Sequence, residues 1–105
     1  MGRYVRERRL LPLMEAIRKM TILPARRLVQ RVPSMRDKGR VRVGADADLI
    51  IFEPRQVIDR ATFREPARPS EGFVHVLVGG ILVVRNGKIQ EGVAPGRPIR
   101  ARTGA

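Results

Sequence analysis

With 105 residues, 43% of them hydrophobic, 4% aromatic and none Trp, the chain can build at most one small domain around an aliphatic core of Val, Ile and Leu. Cys is absent, which excludes a disulfide framework and thiolate metal sites. The formal charge of +12 is unevenly spread: residues 1–42 carry 13 Lys and Arg against 3 Asp and Glu, a surplus of ten, whereas residues 43–105 carry 9 against 7, a surplus of two.

The first residues, Met1 to Arg9, lead into no uninterrupted apolar stretch. Neither a signal peptide nor a membrane span is expected, and the cytoplasm is the expected compartment. Leu13, Ala16, Ile17 and Met20 follow the i, i+3, i+4, i+7 spacing of a short amphipathic helix, with Pro12 suited to its first turn and Arg18 and Lys19 favourable at its end. Thr21 is the expected N-cap of a second helix carrying Ala25, Leu28, Val29 and Val32 on one side, with Pro24 tolerable in its first turn and Pro33 ending it.

After a basic, turn-rich stretch from Ser34 to Lys38, the pattern changes to strands. Val41 and Val43 alternate with Arg40 and Arg42, as in a half-exposed strand broken by Gly44. Leu49-Ile50-Ile51-Phe52 is apolar on both faces, so it needs cover on both sides. Pro54 closes it. Gln56 to Thr62 reads as a short strand or turn, and Arg64 to Gly72 as a loop.

A meander follows: Phe73 to Val78, the pair Gly79-Gly80, Ile81 to Arg85, the pair Asn86-Gly87, then Lys88 to Gln90. Both pairs suit two-residue type I′ turns, which need positive φ at both central positions. The tail from Pro95 onward, rich in Gly, Pro and Arg, is expected to be extended or loose. The expected class is α+β, short helices followed by an antiparallel sheet.

No constellation of residues points to catalysis. His75 is the single histidine, and it alternates with Phe73 and Leu77 on one face of its strand, where a structural or partly exposed role is expected. Hydrolytic zinc sites need three protein ligands, which one His cannot supply. Asp46 and Asp48 lack a third oxygen donor at a suitable spacing and sit where Gly44-Ala45 turns into a strand, so they are expected to cap backbone N–H groups.

Ser34 and Ser70 lie outside any nucleophile-elbow context, and Gly79-Gly80 and Gly92 to Gly96 form no phosphate-binding loop. Arg3, Arg6, Arg9, Arg26 and Arg27 could contact phosphates, but no aromatic residues interleave with them for base stacking. A solvated basic face accounts for them better, and nucleic acid is a disfavoured partner.

Taken together, Gly2-Arg3-Tyr4-Val5-Arg6-Glu7, Glu15-Ala16-Ile17-Arg18-Lys19-Met20-Thr21, Leu23-Pro24-Ala25-Arg26-Arg27-Leu28, Val43-Gly44-Ala45-Asp46-Ala47-Asp48-Leu49, Phe52-Glu53-Pro54 and Asp59-Arg60-Ala61-Thr62-Phe63 resemble, in collinear order, the C-terminal segment of N-acyl-D-amino-acid deacylases (D-aminoacylases) of the metal-dependent amidohydrolase superfamily. Gly79 stands where that family usually has Asn before Gly, Val29-Gln30 replaces a common Gly-Leu, and Val32 to Met35 lengthens the link to the first strand.

The resemblance implies that residues 1–33 form a helical segment at the edge of a TIM-like barrel. It implies that residues 34–105 form the C-terminal part of a small β-sandwich composed from both ends of a full-length enzyme, with a loose tail. It places the zinc ligands and the catalytic Asp upstream of Met1, so no catalytic, cofactor-binding or metal-ligating residue is assigned to this chain. Zinc belongs to the full-length family, and this chain alone is expected to be inactive.

The reading favoured on these grounds is a non-catalytic segment of a zinc-dependent amidohydrolase acting on linear amide C–N bonds. A small basic nucleic-acid-associated protein and a self-associating β scaffold are the alternatives. The expected partners are the remainder of an amidohydrolase or another copy of the chain in a homo-oligomer.

Overall fold

A π-helix at Gly2–Glu7 comes first, followed by α1 (Leu13–Met20), α2 (Ile22–Leu28) and a 3-10 helix at Pro33–Asp37. Strands β1 (Leu49–Phe52), β2 (Phe73–Val78), β3 (Ile81–Arg85) and β4 (Lys88–Ile89) then form one antiparallel sheet in the order β1-β2-β3-β4. This computed structural model describes residues 1–101. The α+β class expected from the sequence is the class observed; the last part of the expected loose tail, residues 102–105, lies outside the described residues.

Helix α1 follows its apolar spacing and packs against α2; Ala16 is the buried residue of the first and Ala25 of the second. Thr21 holds the N-cap position of α2 as expected but makes no capping bond with its side chain: its hydroxyl donates to the Ile17 carbonyl at 2.7 Å. Helix α2 ends at Leu28 rather than running on to Val32; in the turn that follows, the Arg31 and Val32 N–H groups both donate to the Leu28 carbonyl. Pro33 then opens the 3-10 helix instead of merely stopping α2; its missing N–H is no loss at a first helical position.

The strand expected at Arg40 to Val43 does not form. Alternation alone cannot hold a strand without a neighbour for its backbone groups, and here the Ala45 N–H donates to the Arg42 carbonyl in a turn while the Val43 side chain stands 103% exposed. Gln56 to Thr62 is a turn plus a single bridge, in which Ile58 and Glu71 exchange backbone bonds of 3.1 and 2.9 Å. Beyond it, Phe63 at the tip of the following loop is 104% exposed.

Both hairpins take the form their central residues dictate. Gly79 and Gly80 have φ of 57° and 81°, and Asn86 and Gly87 have 50° and 74°. The register runs Ile50, Val76, Val84, Ile89 across one row and Ile51, His75, Arg85, Lys88 across the next. Cross-strand partners share a face, so these adjacent rows stand on opposite faces of the sheet.

The first segment shows no helical spacing of its own in the sequence, but it lies within the stretch 1–33 that the resemblance implies to be helical, and it is helical. Its wide turns are closed by bonds such as Arg8 N–H to the Arg3 carbonyl, 2.9 Å, and Arg9 (φ 50°) terminates it. The segment is tied to the far half of the chain by Arg6, whose guanidinium donates to the carbonyls of Pro54 at 3.0 Å and Val57 at 2.9 Å. We expect Arg6→Met to cost about 1–2 kcal/mol, the value of hydrogen bonds from a charged donor, shown as faster hydrogen exchange around residues 54–58 with the β2 and β3 hairpin unaffected.

The core is thin. Among the described residues Ala16, Ala25 and Val57 are the buried apolar side chains, and none of the larger ones is fully enclosed. Among the described residues the helices pack chiefly on one another and the strands on their neighbours in the sheet. The accessible surface is 8842 Å², against about 5,900 Å² for a compact protein of this mass, and the radius of gyration is 15.6 Å against about 13 Å.

Candidate functional site

The densest polar cluster lies where the segment leading into β1 meets the β2 and β3 turn. Lys38, at the end of the 3-10 helix, reaches Asp46 Oδ2 at 2.8 Å and also binds Asp48 Oδ2. The other Asp48 oxygen, Oδ1, accepts the Gly79 N–H at 2.8 Å. Backbone bonds flank the cluster: the Asp46 N–H donates to the Asp37 carbonyl and the Gly80 N–H to the Ala47 carbonyl, both at 3.0 Å.

The two carboxylates, Asp46 first and then Asp48, hold the Lys38 ammonium above its usual value. Lys38, followed by the Gly79 N–H, holds the Asp48 carboxyl below the usual carboxylate range. The cluster forms one wall of a cleft of about 520 Å³, with Ser34 and Arg97 also on its lining.

This arrangement works as a strut. Both carboxylates are occupied by one ammonium, so neither is poised as a general acid or base, and the ammonium cancels charge that a cation would seek. Asp48 caps an N–H group as the sequence suggests, but the capped turn lies 31 residues away rather than beside it. Lys38 was not weighed as a site residue from the sequence, although the stretch Lys38-Gly39-Arg40-Val41 shares in the family resemblance.

His75 sits on the sheet opposite Ile51 and Arg85, away from the cluster, and its Nδ1 accepts the Asn86 N–H at 3.3 Å, bracing the second hairpin. Ser34 lines the cleft, but Ser70 lies in the exposed loop, so the two serines and His75 do not converge. Gly79-Gly80 serves its hairpin. Of the arginines weighed as phosphate contacts, Arg6 is committed to two carbonyls, whereas Arg3, Arg9, Arg26 and Arg27 stand exposed on the helical half.

A family model described as the amidohydrolase family matches residues 1–84. The chain belongs to the amidohydrolase family. Within it, the chain is 49% identical over 83 residues to an N-acyl-D-glutamate deacylase of Alcaligenes xylosoxydans xylosoxydans, covering 79% of this chain and 16% of that protein. A solved N-acyl-D-glutamate deacylase from Bordetella bronchiseptica, complexed with zinc and a phosphonate inhibitor, superimposes with a TM-score of 0.80 at 41% identity, over 95% of this chain and 20% of that one. A solved D-aminoacylase gives 0.75 at 34% identity, over 86% and 18%.

The chain thus spans about a sixth to a fifth of the length of the amidohydrolases it matches. Zinc, which the Bordetella protein holds, finds no fitting donor set here. Asp46 and Asp48 are engaged by Lys38, His75 stands apart on the sheet, and among the described residues no three His, Asp or Glu side chains come together. No helix among the described residues is long and apolar enough to cross a membrane.

Proposed function

We propose that this chain is a structural, non-catalytic portion of a zinc-dependent N-acyl-D-amino-acid deacylase, with the metal and the hydrolytic chemistry held by parts of that enzyme outside these 105 residues. The observation that carries the reading is the 0.80 TM-score at 41% identity to a stretch making up 20% of an N-acyl-D-glutamate deacylase. In this reading residues 1–33 pack along the edge of a barrel, residues 34–105 contribute strands to a β-sandwich, and the partner is the remainder of the amidohydrolase.

The exposed apolar surface supports the structural role. Met14, Met20 and Leu28 on the helices and Ile50, Ile51 and Ile89 on the sheet lie open, more than a self-sufficient domain of this size leaves uncovered. The higher identity to N-acyl-D-glutamate deacylases, 49% and 41%, than to a D-aminoacylase at 34%, favours an acidic N-acyl-D-amino acid as the substrate class of the whole enzyme.

The test is a chimaera of the Alcaligenes enzyme in which the matching segment is replaced by this chain. Hydrolysis of an N-acyl-D-glutamate within about tenfold of the parent is expected, since the catalytic parts are untouched. A folded chimaera without turnover overturns the reading, as does an isolated chain that hydrolyses the same amide.

A further inference from the structure

The second hairpin carries a reactive pair that neither the strut nor the sheet uses. Asn86 is the single asparagine of the chain, and a glycine follows it. A backbone nitrogen attacks a side-chain amide most readily at such a pair, because Gly87 has no side chain to hinder the approach and the ring that closes has five members. Both residues lie exposed at the turn between β3 and β4.

The closed turn blocks that attack in two ways. The Gly87 N–H donates to the Val74 carbonyl at 2.9 Å, so the nitrogen that must lose its proton is held in a hydrogen bond. Asn86 has φ of 50°, and a type I′ turn carries a ψ of about +30° at this position, which sets the Gly87 nitrogen on the opposite side of the Cα–C bond from Cβ. The side-chain amide carbon reaches it only after rotation about that bond. A further tie to β2 resists the rotation: the Asn86 N–H donates to His75 Nδ1 at 3.3 Å. Little else does, since β4 is two residues long and pairs with β3 alone. The Gly79-Gly80 hairpin has no amide to lose.

We propose that Asn86 is a modification site, one of deamidation, which the closed hairpin guards and each opening of its tip exposes. The Gly87 nitrogen gives its proton to water and bonds to the Asn86 side-chain amide carbon; the carbon–nitrogen bond of that amide breaks and ammonia leaves. Water then opens the cyclic imide at one carbonyl or the other, leaving aspartate or isoaspartate at position 86. One water is consumed and one ammonia released, with no oxidant or reductant. Isoaspartate adds a methylene to the backbone, which a two-residue turn does not accommodate, so the Gly87 to Val74 bond and the Arg85 to Lys88 pairing are not regained. One opening of the tip is thereby made permanent.

The test ages the deacylase chimaera at mildly alkaline pH, folded and in urea. Loss of the Asn86 amide is followed by mass spectrometry, with isoaspartate separated from aspartate by chromatography. Conversion is expected in urea, and at least about tenfold more slowly in the folded protein, where the tip must first break its bonds to β2. His75→Ala removes one of those bonds and is expected to speed conversion of the folded protein about fivefold while leaving the rate in urea unchanged. An amide that survives in urea, equal rates in the two states, or a folded rate that His75→Ala does not change overturns the proposal. Turnover of the chimaera reports on the deacylase reading and amide loss on this one, so either can fail without the other.

Discussion

Replacing Gly72 with alanine is expected to remove about 4 kcal/mol of stability, enough to unfold most of a small domain at room temperature. Two costs combine. Gly72 has φ of 87°, a region that disfavours any side chain, and a Cβ there would lie 2.4 Å from both the Cα and the N of Val57. The obstruction is backbone, so no side-chain rotation relieves it. Relief requires moving the strand end away from the turn at 54–57, which breaks the 2.9 Å bond from the Glu53 N–H to the Gly72 carbonyl and uncovers the buried Val57 side chain.

Gly44→Ala is the matched control. Its φ is 81°, but an added Cβ meets nothing within 4 Å, so only the conformational cost of about 1 kcal/mol applies. Urea unfolding followed by far-ultraviolet circular dichroism measures both. A Gly72→Ala loss within about 1 kcal/mol of the Gly44→Ala loss would show that the close approach to Val57 is not limiting.

Asp48→Ala is expected to cost about 2 kcal/mol, because it leaves the Gly79 N–H without its acceptor and Lys38 with Asp46 alone. The figure stays at the low end because the Asp48 side chain keeps 35% of its surface in water. Asp48→Asn retains an acceptor for Gly79 and is expected to lose about half as much.

The effect also has a pH signature. Asp48 is held below its ordinary value by Lys38 and by the Gly79 N–H, so its contribution is present above about pH 4, where the unfolded carboxyl is ionised, and is lost as pH falls through the lowered folded value. Lys38 is held above its ordinary value, so its contribution is present below about pH 10 and is lost as pH rises through the raised one. The stability gap between the parent chain and Asp48→Ala is therefore expected to be flat from about pH 5 to 9 and to close toward either extreme. A gap that stays constant down to pH 2 would show that the ion pair and the cap contribute nothing as charges.

Much of the local architecture was legible in the sequence. The type I′ turns at Gly79-Gly80 and Asn86-Gly87 and the amphipathic pattern of α1 are set by φ preference and by i, i+3, i+4 spacing, which act over a few residues. The likeness to N-acyl-D-amino-acid deacylases was legible for a different reason: short motifs at Arg3 to Glu7, Gly44 to Leu49 and Asp59 to Phe63 occur in one collinear order. What failed were elements whose existence depends on distant chain. Alternation at Arg40 to Val43 has the period of a strand, but no neighbouring strand accepts its backbone groups. The helical spacing through Val32 was overruled where the chain turned back on Leu28.

The sequence by itself determined that the second half forms hairpins and that the helices are short. Only the tertiary structure decided that Asp48 caps a turn 31 residues away, that Lys38 joins two carboxylates into a strut, and that Arg6 spans 48 and 51 residues to bind the Pro54 and Val57 carbonyls. It also decided that the charged and uncharged rows of the sheet fall on opposite faces. The reason is common to all of these: a dihedral preference belongs to one residue, whereas a long-range hydrogen bond, an ion pair or a strand register exists only once the chain has returned to bring its two ends together.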